Sequence, residues 1–120
     1  MHVIHRSMVQ PILAADGSLV RELAAPGNAP LAGHSLAEIR HPVGTASREH
    51  IHRVAEEVYY VLEGEGVVRV DGQVRTIGPG DVVVISPGQR HKVAQRGDGE
   101  LVLLVTCVPA YSAAEVIFLE

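Results

Sequence analysis

The chain has 120 residues, 47% of them apolar, which is enough to bury one core and leaves no length for a second lobe. Ten Lys and Arg stand against fourteen Asp and Glu, for a formal net charge of −4 with no basic run. That balance argues against a nucleic-acid binder and makes a small-molecule ligand the expected partner. Residues 1–15 are interrupted by His5, Arg6, Gln10 and Pro11, so neither a signal peptide nor a membrane span is expected there. The lone Cys107 has no internal disulfide partner, and the expected setting is cytoplasmic.

Short apolar or alternating runs, punctuated by Gly, Pro, Asp and Asn, predict an all-β domain over residues 1–120. A first strand is expected over Val3–Leu13 and a second over Leu19–Ala24. An exposed loop at Ala25–Gly33, with two prolines, leads to a third strand at His34–His41. Further strands are expected at Arg48–Arg53, Glu57–Leu62, Gly66–Val70, Gln73–Ile77, Asp81–Ile85, His91–Gln95 and Leu101–Val108. Asp71-Gly72 is a two-residue hairpin turn, because both residues tolerate positive φ. Ser112–Leu119 fits either a short helix or a closing strand. Val82–Ile85 and Leu101–Val105 are apolar at every position instead of alternating, so both runs require cover on both faces. The N-terminal strand, the C-terminal segment or a second subunit can supply it, and a homodimer is expected.

Four residues carry the chemistry. His50 and His52 are separated by one residue, so on a strand they share a face with their Cα atoms about 6–7 Å apart, close enough to reach one ion. After a bend at Val54 and Ala55, Glu57, Tyr59 and Val61 share a face, which makes Glu57 the candidate ligand and Glu56 a solvated neighbour. On the strand opened by His91, that histidine, Val93 and Gln95 face inward, while Lys92 and Arg96 face out. A lone histidine is most often an incidental surface or core residue, and His2, His5, His34 and His41 are read that way. Tyr59 is the candidate acid or base beside the site, against the plainer role of an aromatic filling the barrel. Gln95 is placed to orient a ligand; Arg40, Arg48, Arg90 and Tyr111 are candidates for the mouth of the site, with solvated strand ends the favoured reading for each, and Cys107 reads as a small buried hydrophobe.

Gly44, His50, His52, Glu57 and Gly64, separated by five, one, four and six residues, resemble the first motif of the cupin superfamily at every anchor. Gly80, Gly88 and His91, separated by seven and two, resemble its second motif, so the motifs span 44–64 and 80–95. The second motif's proline position is Ser86 here, with Pro87 beside it, and its terminal Asn is Gln95. The resemblance covers close to half the chain, whose length is that of the small single-domain members. It implies a jelly-roll barrel, a double-stranded β-helix, holding one divalent metal ion through His50, His52, Glu57 and His91. Fe, Mn, Ni, Zn, Co and Cu all suit that donor set. Three neutral imidazoles and one carboxylate leave a divalent ion with net charge +1 and, if six-coordinate, two open cis positions. The expected function is a metal-dependent oxygenase, isomerase or lyase acting on a small oxygen-rich anion. The alternative is a non-catalytic module that binds a carboxylate or sugar acid.

Overall fold

A computed structural model describes residues 1–120. The strands, in chain order, are β1 (Ile12–Leu13), β2 (Leu19–Ala24), β3 (Ser35–His41), β4 (His50–His52), β5 (Glu56–Glu63) and β6 (Glu65–Val70). They continue with β7 (Gln73–Ile77), β8 (Val82–Ile85), β9 (His91–Arg96), β10 (Leu101–Val108) and β11 (Val116–Phe118). One sheet has the order β1-β2-β3-β10-β5-β8 and the other β11-β4-β9-β6-β7. All pairings are antiparallel, and the two sheets close on each other as a jelly-roll barrel. No helix is long and apolar enough to cross a membrane.

Alternation along the strands builds the core. Tyr59 and Val61 of β5, Leu101, Leu103 and Val105 of β10, Ile85 of β8 and Val68 and Val93 of the opposite sheet point inward and form one buried cluster. Two turns fix its register. Asp71 and Gly72 both have positive φ, 48° and 81°, so the β6–β7 hairpin follows the right-handed twist of its strands. Gly64 turns β5 into β6 at φ 77°, where a Cβ would lie 2.1 Å from the carbonyl oxygen of Glu100. No other residue fits there without moving backbone.

The N-terminal expectation is corrected. Val3–Leu13 is not one strand: Arg6–Met8 is a 3-10 turn capped by the His5 side chain, which accepts from the Ser7 N–H, and only Ile12–Leu13 pairs with a neighbour. Pro11 cannot donate to a ladder, and Val3, Met8 and Ile12 stay exposed, so the apolar pattern there corresponds to no buried face. Ser112–Leu119 holds both alternatives in sequence, a 3-10 turn at Ala113–Glu115 and then β11. The two apolar runs also part company. Leu101–Val105 is covered within the chain, with Leu104 on the outer face between Glu38 and Tyr60. Glu38 gathers Arg6, Arg21 and Arg40, which brings the N-terminal turn onto this face. On β8, by contrast, Val82 and Val84 remain 58% and 66% exposed.

Candidate metal centre

His50 and His52 lie on the inner face of β4 with Ile51 between them turned away, because the strand alternates. Pairing with β9 sets His91 directly opposite His50, and β11 closes the other side of β4, with Val116 opposite His52 and Phe118 opposite His50. The loop before β9 is anchored to β4 by the Gly88 N–H, which donates to the His52 carbonyl at 2.8 Å. Glu57 comes from β5 in the other sheet, so the cluster bridges both walls of the barrel. It is buried at 5% exposure, whereas Glu56 is exposed.

The hydrogen bonds aim the rings. Nδ1 of His50 donates to the Arg48 carbonyl at 2.7 Å, that of His91 to the Gln89 carbonyl at 2.9 Å, and that of His52 to Glu115 Oε1 at 2.6 Å. With Nδ1 occupied by an acceptor, the neutral tautomer of each ring leaves its Nε2 lone pair free, the form that ligates a metal. Nε2 of His52 and of His91 both approach the same oxygen, Glu57 Oε1, at 3.2 and 3.1 Å. One donor atom from each of the four residues fits within 4.8 Å of the others. The donor set therefore suits a divalent ion.

Electrostatics sharpen the picture. Burial lowers the pKa of His50, and the nearby His91 and His52 lower it further, which keeps the ring neutral. Burial also works against protonation of His52, but Glu57 and Glu115 outweigh it and raise the pKa. Burial alone would raise the pKa of Glu57; the adjacent His52 and His91, when protonated, more than reverse this and hold the carboxylate well below its ordinary range. The Tyr59 hydroxyl donates to Glu57 Oε1 at 3.4 Å, and burial together with the Glu57 charge keeps that phenol protonated. Tyr59 is thus equipped to donate a hydrogen bond rather than to act as a base.

The residues around the cluster divide differently from the sequence expectation. Gln95 does not serve a ligand: its Oε1 accepts from the Gly44 N–H and its Nε2 donates to the carbonyls of Gly97 and Gly99. Arg48 holds the C-terminal residue Glu120 and lies over the Phe118 ring, and Arg40 pairs with Glu38 on the outer face. Tyr111 lines the cavity at its open side, half exposed, with its ring 6.2 Å from His52. Glu115 is the main residue missed. Besides His52 it accepts from the backbone N–H of Val54 and Ala55, fixing the bend between β4 and β5. A carboxylate 63 residues from its histidine leaves no local mark in sequence. His41, read as incidental, is buried and lines the same cavity. That cavity, about 400 Å³, opens from the cluster between the two sheets.

A family model described as Cupin domain matches residues 37–107, more than half of the chain. An uncharacterized protein of Methanocaldococcus jannaschii is 36% identical over 112 residues, covering 93% of this chain and 90% of that one. An oxalate-binding protein of Thermotoga maritima is 32% identical over 73 residues, 61% of this chain and 60% of its own. Among solved structures, the polyketide cyclase RemF from Streptomyces resistomycificus superimposes with a TM-score of 0.85 at 21% identity, covering all of this chain and 86% of that one.

Proposed function

The chain belongs to the cupin family, and from that premise we propose that it is a metal-dependent enzyme, of oxygenase, isomerase or lyase type, acting on a small molecule that binds through a pair of oxygens. The observation that carries this reading is the arrangement of the three rings, each with Nδ1 engaged, with Nε2 of His52 and of His91 on Glu57 Oε1 and a donor atom of His50 within 4.8 Å of theirs. A divalent ion held by His50, His52, Glu57 and His91 would supply Lewis acidity at a net charge of +1, suited to an anionic oxygen pair. The protein's own groups do the rest. Glu115 and the carbonyls of Arg48 and Gln89 keep the rings in register. Tyr59, on the cavity wall beside Glu57, holds a proton that it can donate to an oxygen of the bound molecule.

The Thermotoga relative, named for binding oxalate, favours a second reading in which the same centre captures a carboxylate without turnover. Assay of the metal-loaded protein against hydroxy acids, keto acids, sugar acids and diketones, with dioxygen uptake followed in parallel, separates the two. The enzyme reading expects turnover that is lost on chelation and in Glu57→Ala while the barrel stays folded. Carboxylate binding without turnover or dioxygen uptake with any metal would give the second reading.

We also read the active species as a homodimer. The outer face of β8 and its neighbour β5 leaves Val82, Val84 and Tyr60 open at 58%, 66% and 43% exposure, a sheet face that a second copy can cover.

A further inference from the structure

Glu57 does not use its two oxygens alike. Oε1 faces the imidazoles, with Nε2 of His52 at 3.2 Å and Nε2 of His91 at 3.1 Å, and it also accepts from the Tyr59 hydroxyl at 3.4 Å. Oε2 turns the other way, onto Cys107, whose thiol donates to it at 3.3 Å. The register of the sheet makes that contact: β10 runs antiparallel to β5 with Cys107 opposite Glu57, and residues so paired point to the same face. Both are buried, at 4% and 5% exposure.

The thiol acts on the carboxylate and not on the place of the ion. Its Sγ lies outside the set of donor atoms within 4.8 Å of one another, which His50, His52, Glu57 and His91 complete by themselves. No other hydrogen bond reaches Oε2, and a buried carboxylate oxygen left without a donor is costly. Cys107 therefore anchors Oε2 on the β10 side.

A carboxylate ligates through one oxygen or through both, and the choice decides how many positions a six-coordinate ion keeps. Three imidazoles and one carboxylate oxygen leave two. A second carboxylate oxygen takes one of those, and a molecule that binds through a pair of oxygens then has to displace it. We propose that Cys107 is a positioning residue: its thiol holds Oε2 back, so that Glu57 ligates through Oε1 alone and both open positions stay available to the bound molecule. The role rests on the metal-centred reading above and deepens it, because it names the residue that keeps the centre open to two oxygens at once.

The test uses the full chain loaded with Mn2+, as wild type and in two variants. Cys107→Val fills the space without a donor, whereas Cys107→Ser keeps one. Water-proton relaxation counts the exchangeable waters on the ion, which should number two in the wild type, one in Cys107→Val and two again in Cys107→Ser. Packing alone would not move that count. Acetohydroxamate, which chelates through two oxygens, should bind about tenfold more weakly to Cys107→Val than to the wild type and recover in Cys107→Ser. A readout on the wild type stands even if a variant fails to fold: Cys107 is the sole cysteine, so the infrared S–H stretch reports this one group. With the ion bound, that band should lie below the frequency of an alkyl thiol in hydrocarbon solvent, as it does for a donating thiol. If the chain takes Zn2+ or Co2+ but not Mn2+, the band in that form decides by the same criterion. A band at the free-thiol frequency, or its loss to a thiolate, would overturn the proposal and leave the metal-centred reading standing. So would a single exchangeable water in the wild type, two in Cys107→Val, or a Cys107→Ser variant that behaves like Cys107→Val. If the folded chain takes up no divalent ion, the metal-centred reading itself fails and the role of Cys107 falls with it.

Discussion

His52 is held between two carboxylates, with Glu57 on Nε2 and Glu115 on Nδ1. Its partner Glu115 also accepts from two backbone N–H groups, and those bonds, with the His52 contact, outweigh burial and lower its pKa. Glu115 is thus a charged acceptor that fixes both the tautomer and the angle of the ring. Replacing it by Gln should weaken metal affinity by about 10–100-fold with little change in the far-ultraviolet spectrum, measured by titrating metal into metal-free protein. The same pair sets a pH dependence. Because the His52 pKa is raised in the folded metal-free protein, the stability gained from its ion pairs is fully present below the ordinary imidazole range and is lost as pH rises through the raised value. Ligation needs the neutral ring. The increase in Tm produced by added metal should therefore grow between about pH 6 and pH 8, and thermal melts in that window, with and without Zn2+, check the sign. The four candidate ligands were legible in sequence because strand alternation ties spacing directly to facing. Glu115 was not, since what matters about it is a contact with His52 between neighbouring strands 63 residues apart, which no local pattern encodes.

Most strands were legible too. Leu19–Ala24, Gln73–Ile77 and Leu101–Val108 have the same limits in the sequence and in the fold, because turn residues bound them on both sides. Val3–Leu13 failed for the opposite reason: apolar residues recur there without a sheet to bury them, and Pro11 interrupts the donors. Turn chemistry is also where the fold is most exposed to mutation. At Gly64 an added Cβ would face both the Glu100 carbonyl at 2.1 Å and a left-handed φ of 77°. Gly64→Ala should cost on the order of 2 kcal/mol or more in urea unfolding, while Gly72→Ala, whose Cβ meets nothing within 4 Å, should cost less. Equal costs would mean that the close approach at Gly64 is not what holds the β5–β6 turn.

At the scale of the whole molecule, the two apolar runs expected to need cover on both faces differ. β10 lies in the middle of its sheet and finds cover within the chain, but β8 is the edge strand, with Val82 and Val84 open. Sequence cannot tell a central strand from an edge, because neighbours are set by topology. If a second copy covers that face, light scattering at micromolar concentration should give twice the chain mass, and Val84→Lys should shift the protein toward monomer without loss of fold. A wild-type monomer would count against the dimer and leave the metal centre untouched.

That centre is the claim on which the functional reading stands, and metal stoichiometry tests it most directly. Protein purified without an affinity tag, stripped and re-equilibrated with Mn2+, Fe2+, Co2+, Ni2+, Cu2+ or Zn2+, is dialysed and its metal measured by mass spectrometry. The account expects one ion per chain for at least one of these metals, most of it lost in His52→Ala and all of it retained in Glu56→Gln. Folded wild-type protein that retains none of them, or a Glu56→Gln variant that loses the metal while Glu57→Gln keeps it, would contradict the account.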